Sequence, residues 1–380
     1  MPTNNLVISF KCFCLVISIF WCSTYVVLPL FTVSTLYDSK IGQDLDEPLL
    51  VNWWRLQCTT IWFFILMIIR RVWCLDYYFR RQRLGSTITE AMIAGFSLWV
   101  WTTGVMYAAQ ISSLYSAYIL SFSFPAIISI ITILLSSTML CIIPLKKNTS
   151  RENTQRAPEN SRPEGFSVSI SASFYHMKKQ IKTHHISYIE KLGVSIFILG
   201  FIVMISTVFM GNDNIDVWKT YIISGDILAL SWALFGIIYH YIFINYSMKH
   251  LHRIIEFLFM TYLFAALFLT ILSAMFYDHS TYKKKSLLGW VCYAKDYYSS
   301  FLTFVVLGGI NGIGFQLIHI VKVEKFIQAK CVFYAFLSQP FIATLFGYIM
   351  IPKMFYTPDI LSFAGGLVWI FGLYVLSLNK

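Results

Sequence analysis

The sequence has few charged residues. Asp, Glu, Lys and Arg together make up 12% of its 380 residues, whereas about a quarter of the residues in soluble domains are charged. Hydrophobic residues make up 57%, and the mean hydropathy is +0.66. This composition excludes an ordinary soluble domain and indicates a polytopic membrane protein.

Patterns typical of enzymes and metal sites are also absent from the sequence. It contains no HExxH motif, no paired carboxylates and no Ser-His-Asp candidate. Its eight cysteines lie mostly in or beside apolar runs and form no pair of CxxC motifs. We therefore expect no enzymatic activity, no metal and no other cofactor, and we interpret the cysteines as small buried hydrophobic residues.

Apolar segments of about 20 residues recur along the chain, and at ~1.5 Å per residue each can cross a bilayer as a helix. The first has no small-residue cleavage site, so we interpret it as a retained helix rather than a signal peptide. Ten segments are predicted, five in each half: 12–33, 50–69, 89–109, 112–135, 187–209, 221–244, 254–276, 300–321, 329–350 and 360–378.

The distribution of lysine and arginine predicts the orientation of these helices. With a cytosolic N-terminus, the cytosolic segments hold 21 of the 29 basic residues, as the positive-inside rule requires. Both termini are then cytosolic. The net charge of +11 is explained by this orientation signal, so we expect no nucleic-acid partner.

The two halves of the sequence resemble each other. Ser123-Phe124-Pro125 matches Ser338-Gln339-Pro340, and Gly193 with Gly200 matches Gly365 with Gly372. Because each half has an odd number of spans, the second repeat must be inverted. We thus predict an all-α integral membrane protein of ten transmembrane helices in two inverted five-helix repeats. Its parts are helices 1 to 4 of the first repeat (1–144), a disordered cytosolic loop (145–186), helix 5 (187–210) and the second repeat (221–380).

Polar groups inside hydrocarbon are costly, so polar residues within spans usually face the bundle interior. Polar and aromatic residues at helical spacing therefore predict a solute-binding site between the halves. The alternatives are packing for the aromatics, a structural role for the histidine, and headgroup contacts for Arg55 and the lysine. The candidates are Trp21, Tyr25, Trp99, Thr103, Gln110, Tyr115, Tyr118, Trp232, Tyr239, Asn311, Gln316, His319, Lys330, Tyr334, Ser338 and Gln339.

Acidic residues are missing from the middle third of every predicted span; Asp226, for example, lies near a helix end. A proton-driven pump usually needs an intramembrane carboxylate or histidine that titrates. We therefore expect facilitated diffusion or exchange rather than strong proton coupling.

Several residues together resemble the EamA-like carriers of the drug/metabolite transporter superfamily. They are Trp21, Ser23 and Thr24; Trp54 and Arg55; Tyr107, Ala108, Ala109 and Pro125; Gly225, Asp226 and Trp232; Pro340; and the Gly365 and Gly372 pair. The resemblance covers nearly all of the chain outside the 146–185 loop. It implies a ten-helix secondary transporter that moves a small organic solute or metabolite by alternating access.

The resemblance leaves two alternatives open. One is a nucleotide-sugar-like endomembrane antiporter, although Gln339 and Gly312 stand where such relatives tend to carry lysine. The other is a multi-pass structural or receptor-like protein that transports nothing. The expected partners are a small-molecule substrate and the lipid bilayer. Homodimer formation, and the choice between the plasma membrane and an endomembrane, are left open.

Overall fold

A computed structural model describes most of the predicted helical regions. Its described residues are 16, 19–20, 23–36, 48–73, 84–121, 123, 126–131, 133–134, 188–209, 217–250, 253–276, 289–292, 294–316, 329–351 and 359–378. Within these, the side chains are not described at 48, 71, 73, 84–86, 190, 207–209, 217–223, 273–276, 292, 329–336 and 377–378. The predicted loop at 145–186 lies outside the described residues.

The described part of the chain is helical and contains no strand. The predicted bounds of three segments, 254–276, 329–350 and 360–378, coincide with observed helices. The described α-helices of seven or more residues are α1 (Val27–Leu36), α2 (Pro48–Trp73), α3 (Leu84–Ile111), α4 (Leu114–Ser121), α5 (Tyr188–Phe209), α6 (Val217–His250), α7 (Ile254–Phe276), α8 (Tyr297–Thr303), α9 (Ala329–Met350) and α10 (Ile360–Leu378). A four-residue helix, Gly289–Cys292, precedes α8.

Four stretches of the described helices are long and apolar enough to cross a bilayer: Thr87–Ile111, Ser224–His250, Ile254–Leu272 and Tyr297–Gln316. Shorter apolar helices accompany them. Many large apolar side chains are exposed, including Ile202, which is 57% exposed. Such side chains suit a surface that faces lipid rather than water. The all-helical fold is compatible with a multi-pass membrane protein.

Helices α5 and α10 pack closely through the four glycines noted in the sequence. A Cβ atom at Gly200 would lie 2.8 Å from the Gly365 carbonyl oxygen, and a Cβ at Gly365 would lie 2.8 Å from the Gly200 oxygen. A Cβ at Gly372 would lie 2.9 Å from the Gly193 oxygen. Numbering rises along one helix as it falls along the other, so the helices are antiparallel. The absence of side chains at the four positions lets the two backbones touch.

The segment predicted as one helix at 112–135 is interrupted. Helix α4 ends at Ser121, and a second helical stretch begins at 126. Ser123 lies at the break, where its hydroxyl donates to the Ile119 carbonyl oxygen and accepts a 2.8 Å hydrogen bond from Trp369 Nε1 on α10. The sequence has Pro125 just before the second stretch. Because proline has no backbone N–H and clashes with the preceding turn, an interruption here is expected.

Helix α8 continues directly into a π-helical segment, Phe304–Ile313, where the sequence predicted an ordinary helix. Glycines occupy the face of this segment that packs on α2. A Cβ at Gly308 would lie 2.7 Å from the Cys58 carbonyl oxygen. At Gly312, a Cβ would overlap the Thr59 side chain. Long π-helical runs are rare and often accompany functional sites.

Asp296 caps the start of α8. Its Oδ1 atom accepts a 2.6 Å hydrogen bond from the Ser299 backbone N–H. This hydrogen bond favours the ionised carboxylate, so the pKa of Asp296 is lowered from its ordinary value. The capping contribution is therefore complete above the ordinary aspartate pKa and is lost as pH falls through the lowered value.

We expect Asp296→Ala to fray the first turn of α8, because the Ser299 N–H loses its acceptor. Amide hydrogen exchange at Ser299 measures this fraying. Asp296→Asn is the matched control, because its side-chain oxygen can still accept the same hydrogen bond. Equal exchange in the alanine variant and the wild type would contradict the capping role.

Candidate functional site

A group of buried polar side chains on α2 and α3 lies inside the helix bundle. Asn52 donates from Nδ2 to Thr102 Oγ1 at 3.1 Å and to Thr103 Oγ1 at 2.7 Å. Its Oδ1 atom accepts a hydrogen bond from the Arg55 guanidinium group. All four residues are at most 1% exposed. The amide of Asn52 therefore holds one edge of the guanidinium group and is itself held by two threonines.

Arg55 is the positive charge in this group. Its Cζ atom lies 4.0 Å from the centre of the Tyr25 ring, a cation–π distance. Its Nη1 atom has no hydrogen-bond partner among the described residues. The sequence analysis allowed this side chain to reach the lipid headgroups, and that interpretation is wrong: Arg55 is 1% exposed. Position near a helix end does not determine which face of the helix carries the residue.

Asn311 approaches the same tyrosine from the π-helical segment. Its Nδ2 atom donates to the Tyr25 carbonyl oxygen at 3.2 Å. Its Oδ1 atom has no partner among the described residues. The next residue, Gly312, leaves room for Thr59, whose hydroxyl donates to the Arg55 carbonyl oxygen. The glycine thus lets the turn that carries Asn311 pack against the turn of α2 that carries Arg55.

Gln316 joins two tyrosines from different helices. Its Nε2 atom donates to the Tyr262 hydroxyl at 2.7 Å, and its Oε1 atom accepts from the Tyr239 hydroxyl at 2.7 Å. All three residues are buried. Both polar atoms of the amide are therefore satisfied, and the bridge ties α6 and α7 to the end of the segment that follows α8.

Aromatic rings connect the Arg55 group to the Gln316 bridge. The Phe315 ring lies 4.4 Å from the Tyr25 ring and 5.7 Å from the Trp101 ring, centre to centre. Trp101 in turn lies 6.3 Å from the Tyr239 ring. We call the connected set the central cluster. Its members are Tyr25, Asn52, Arg55, Trp101, Thr102, Thr103, Tyr239, Tyr262, Asn311, Phe315 and Gln316.

Tyr118 supports the backbone on which Tyr25 sits. The residues just before α1, at 24–26, form a turn rather than regular helix. The Tyr118 hydroxyl accepts a 3.1 Å hydrogen bond from Val26 N–H and donates a 2.9 Å bond to the Ser23 carbonyl oxygen. One hydroxyl thus pairs with two backbone groups of the irregular turn. Tyr118 therefore positions Tyr25 from outside the central cluster.

We expect Tyr118→Phe to destabilise the protein by about 2 kcal/mol, because it removes two buried hydrogen bonds, one to a backbone N–H and one to a backbone carbonyl group. The free energy of unfolding in mixed detergent micelles measures the change. Tyr348→Phe removes the same hydroxyl from a side chain that is 63% exposed and serves as the control. Equal stability of the two variants would contradict the bracing role.

The predicted site residues fall into three groups. Five of them lie in the central cluster: Tyr25, Thr103, Tyr239, Asn311 and Gln316. Four others lie outside the described side chains: Trp21, His319, Lys330 and Tyr334. The structure places the remaining seven elsewhere in the bundle: Trp99, Gln110, Tyr115, Tyr118, Trp232, Ser338 and Gln339.

These remaining residues have other surroundings. Trp99 packs edge-on against Phe96 at 5.7 Å, and Trp232 covers Gly104. The Tyr115 hydroxyl donates to the Phe363 carbonyl oxygen at 3.3 Å. Ser338 is half-buried, and so is Gln110, whose Nε2 atom has no described partner. Gln339 is buried, and neither of its side-chain polar atoms has a partner among the described residues.

Sequence reasoning left the role of Arg55 open between substrate binding and headgroup contact, and it did not single out Asn52 or Tyr262. One signal for Arg55 and Asn52 was available. Asn52 and Arg55 are three residues apart in an otherwise apolar run, so they share one helix face. Tyr262 carries no such signal, because a lone tyrosine in an apolar helix is equally consistent with packing.

Comparisons with known proteins add little. No protein-family model matches the chain, and no curated protein matches it. Among solved structures, a chain described as "Crystal structure of protein" aligns over 97% of this chain and 99% of its own length, with 14% identity and a TM-score of 0.47. This likeness carries no argument about fold or function.

Proposed function

We propose that the protein is a secondary transporter that moves a small organic solute across a membrane by alternating access, as the resemblance to EamA-like carriers implies. The observation that carries the proposal is the central cluster. Its polar groups come from helices of both halves of the sequence and meet in the interior, where a carrier needs its binding site. A bundle that served only as a scaffold would gain more from apolar packing there.

The proposed inverted repeat is supported by the way the helices pack. If helix n of one half corresponds to helix n+5 of the other, each contact should have a counterpart. Helix α3 packs on α7, and the π-helical segment after α8 packs on α2. Likewise α3 packs on α6, and the π-helical segment packs on α1. Helix α5 packs on α10. Because these two helices correspond to each other, this contact maps onto itself.

If the helices correspond in this way, close backbone contacts at two glycines, Gly95 and Gly308, occupy corresponding places in the two halves. A Cβ at Gly95 on α3 would lie 2.6 Å from the Thr261 carbonyl oxygen on α7. A Cβ at Gly308, in the π-helical segment, would lie 2.7 Å from the Cys58 carbonyl oxygen on α2. Each contact joins a third helix of one half to a second helix of the other. The reciprocal contact between Gly200 and Gly365 fits the same exchange.

The burial of two candidate residues is compatible with a solute pathway. Lipid-facing side chains at Tyr115, Gln316 and Tyr334 would have favoured a non-transporting membrane protein, and the Tyr334 side chain lies outside the described residues. Tyr115 is 1% exposed and Gln316 is 0% exposed, so both face protein. A polar interior of this kind is typical of a solute pathway.

An exchange experiment in proteoliposomes tests the proposal. Vesicles hold an unlabelled metabolite extract, the same extract in isotope-labelled form is added outside, and mass spectrometry identifies the labelled solutes that enter. We expect at least one solute to enter faster than in protein-free vesicles. Gln316→Ala should slow that entry at least tenfold, because it removes the bridge between two helices. Ile202→Ala, on the lipid-facing surface, should leave it unchanged.

Two outcomes count against the proposal: no solute exchanges, or Gln316→Ala matches the wild type. A pH gradient tests the mode of transport separately. Facilitated diffusion or exchange predicts that the gradient does not concentrate the solute. Asp226 is the residue to examine if it does, because this carboxylate is 4% exposed and its Oδ1 atom has no described partner.

A further inference from the structure

The Arg55 guanidinium group is a buried charge, and its contacts among the described residues do not neutralise it. Within the described ranges it touches the Asn52 amide oxygen and the Tyr25 ring, and no described carboxylate forms an ion pair with it. Both contacts are with neutral groups. A buried charge without an opposite charge is costly, so proteins normally pair it or use it to bind a ligand.

Two unpaired atoms near Tyr25 have complementary chemistry. Arg55 Nη1 is a donor and Asn311 Oδ1 is an acceptor, and neither has a partner among the described residues. The orientation of the Asn311 amide follows from its other contact, because only Nδ2 can donate to the Tyr25 carbonyl oxygen. Arg55 Nη1 can therefore donate to an acceptor that carries negative charge. Asn311 Oδ1 can accept from an N–H or O–H group.

Both side chains contact the same residue. Arg55 lies over the Tyr25 ring and Asn311 binds the Tyr25 backbone. Gly312 brings the turn carrying Asn311 against Thr59, one turn along α2 from Arg55. The two unpaired atoms thus belong to side chains that both contact Tyr25.

We propose that Arg55 binds the transported solute, which is an organic anion bearing a carboxylate or phosphate group and, next to it, a hydroxyl or amine hydrogen donor. The anion accepts from Arg55 Nη1, and its hydrogen donor binds Asn311 Oδ1. Asn52 and the two threonines beside it orient the guanidinium group. This inference rests on the proposed transport function and specifies its substrate class.

Four probes that share a phenyl ring test the charge and the hydrogen donor separately. Mandelate carries a carboxylate and an adjacent hydroxyl, phenylacetate lacks the hydroxyl, and 1-phenyl-1,2-ethanediol replaces the carboxylate by a neutral group. Phenyl phosphate adds a phosphate arm. The readout is the thermal unfolding midpoint of the purified full chain, which a ligand raises if it binds the native state. Sodium chloride at equal ionic strength corrects for salt.

For the wild type we expect a saturable rise with mandelate, smaller rises with phenylacetate and phenyl phosphate, which lack the adjacent hydroxyl, and none with the neutral diol. Arg55→Gln should abolish the rise. Arg55→Lys keeps the positive charge and provides a test that does not depend on the folding of Arg55→Gln. It should raise the half-saturating concentration about tenfold, because lysine lacks the planar guanidinium fork. Arg253→Gln, the same change at a half-buried position beside α7, should behave like the wild type.

The proposal is overturned if none of the three anions raises the unfolding midpoint above that of the salt control. It is also overturned if the neutral diol raises the midpoint as much as mandelate does, or if mandelate still raises it in Arg55→Gln. The exchange assay distinguishes failure of the proposed anion site from failure of the proposed transport function. Exchange of neutral solutes alone would leave the transporter standing and remove the anion site. Binding that depends on Arg55 without any exchange would leave the site standing and remove the transporter.

Discussion

Gly200→Ala is expected to lower the free energy of unfolding by about 2 kcal/mol. The added Cβ would lie 2.5 Å from the Trp369 backbone nitrogen and 2.8 Å from the Gly365 carbonyl oxygen. Because both neighbours are backbone atoms, no side-chain rotation relieves the overlap, and α5 must move away from α10. We take the cost of overpacking as about 3 kcal/mol and subtract the helix propensity gained by replacing glycine, about 1 kcal/mol.

Gly309→Ala provides the matched control. There the three atoms nearest to the added Cβ belong to the Trp62 side chain, at 3.3 to 3.5 Å. The half-buried ring therefore needs to move by only a few tenths of an ångström, which is compatible with its 3.1 Å hydrogen bond to the Phe304 carbonyl oxygen. We expect a change within about 0.5 kcal/mol. Titration with sodium dodecyl sulfate in mixed micelles measures both variants. If Gly200→Ala is no less stable than Gly309→Ala, the close contact of α5 and α10 does not support the fold.

The bounds of several helices could be predicted from the sequence, because an apolar run of about 20 residues has few other uses. The π-helical segment could not. Gly308 and Gly312 predict close packing for an ordinary helix and for a wider one alike. The π-helical segment packs against Cys58 and Thr59 on α2. These residues are far away in the sequence, so the local sequence does not specify this contact.

Burial of a polar group within an apolar run was predictable, but membership of the central cluster was not, because Gln339 is buried too and lies outside the cluster. Gln316 and Asn311 occur within apolar runs, and their amides need partners in hydrocarbon; both lie in the central cluster. Helical spacing alone was less reliable. Helical spacing puts Trp99, Thr103 and Gln110 on one face of α3, but the first and last are eleven residues apart, which is ~16 Å along the axis. Only Thr103, between them, is level with the cluster.

Gln316→Leu is expected to destabilise the protein by about 3 kcal/mol, since it removes the acceptor of one buried tyrosine hydroxyl and the donor to another. Each unpaired group costs roughly 1 to 3 kcal/mol. The bonds concerned are the two 2.7 Å contacts with Tyr239 and Tyr262. Leucine fills similar space, so loss of packing volume contributes little.

The triple variant Gln316→Leu, Tyr239→Phe, Tyr262→Phe separates the hydrogen bonds from the packing. It removes both orphaned hydroxyls, so we expect it to regain most of the stability that the single variant loses, although it carries two more substitutions. Tyr241→Phe on the same helix is the control, because that side chain is 42% exposed and its loss of a hydroxyl should be neutral. If the stability loss of the triple variant equals the sum of the losses of the three single variants, the tyrosine hydroxyls do not depend on Gln316. The amide would then be a packing residue, and the polar character of the central cluster would rest on the group around Arg55 alone.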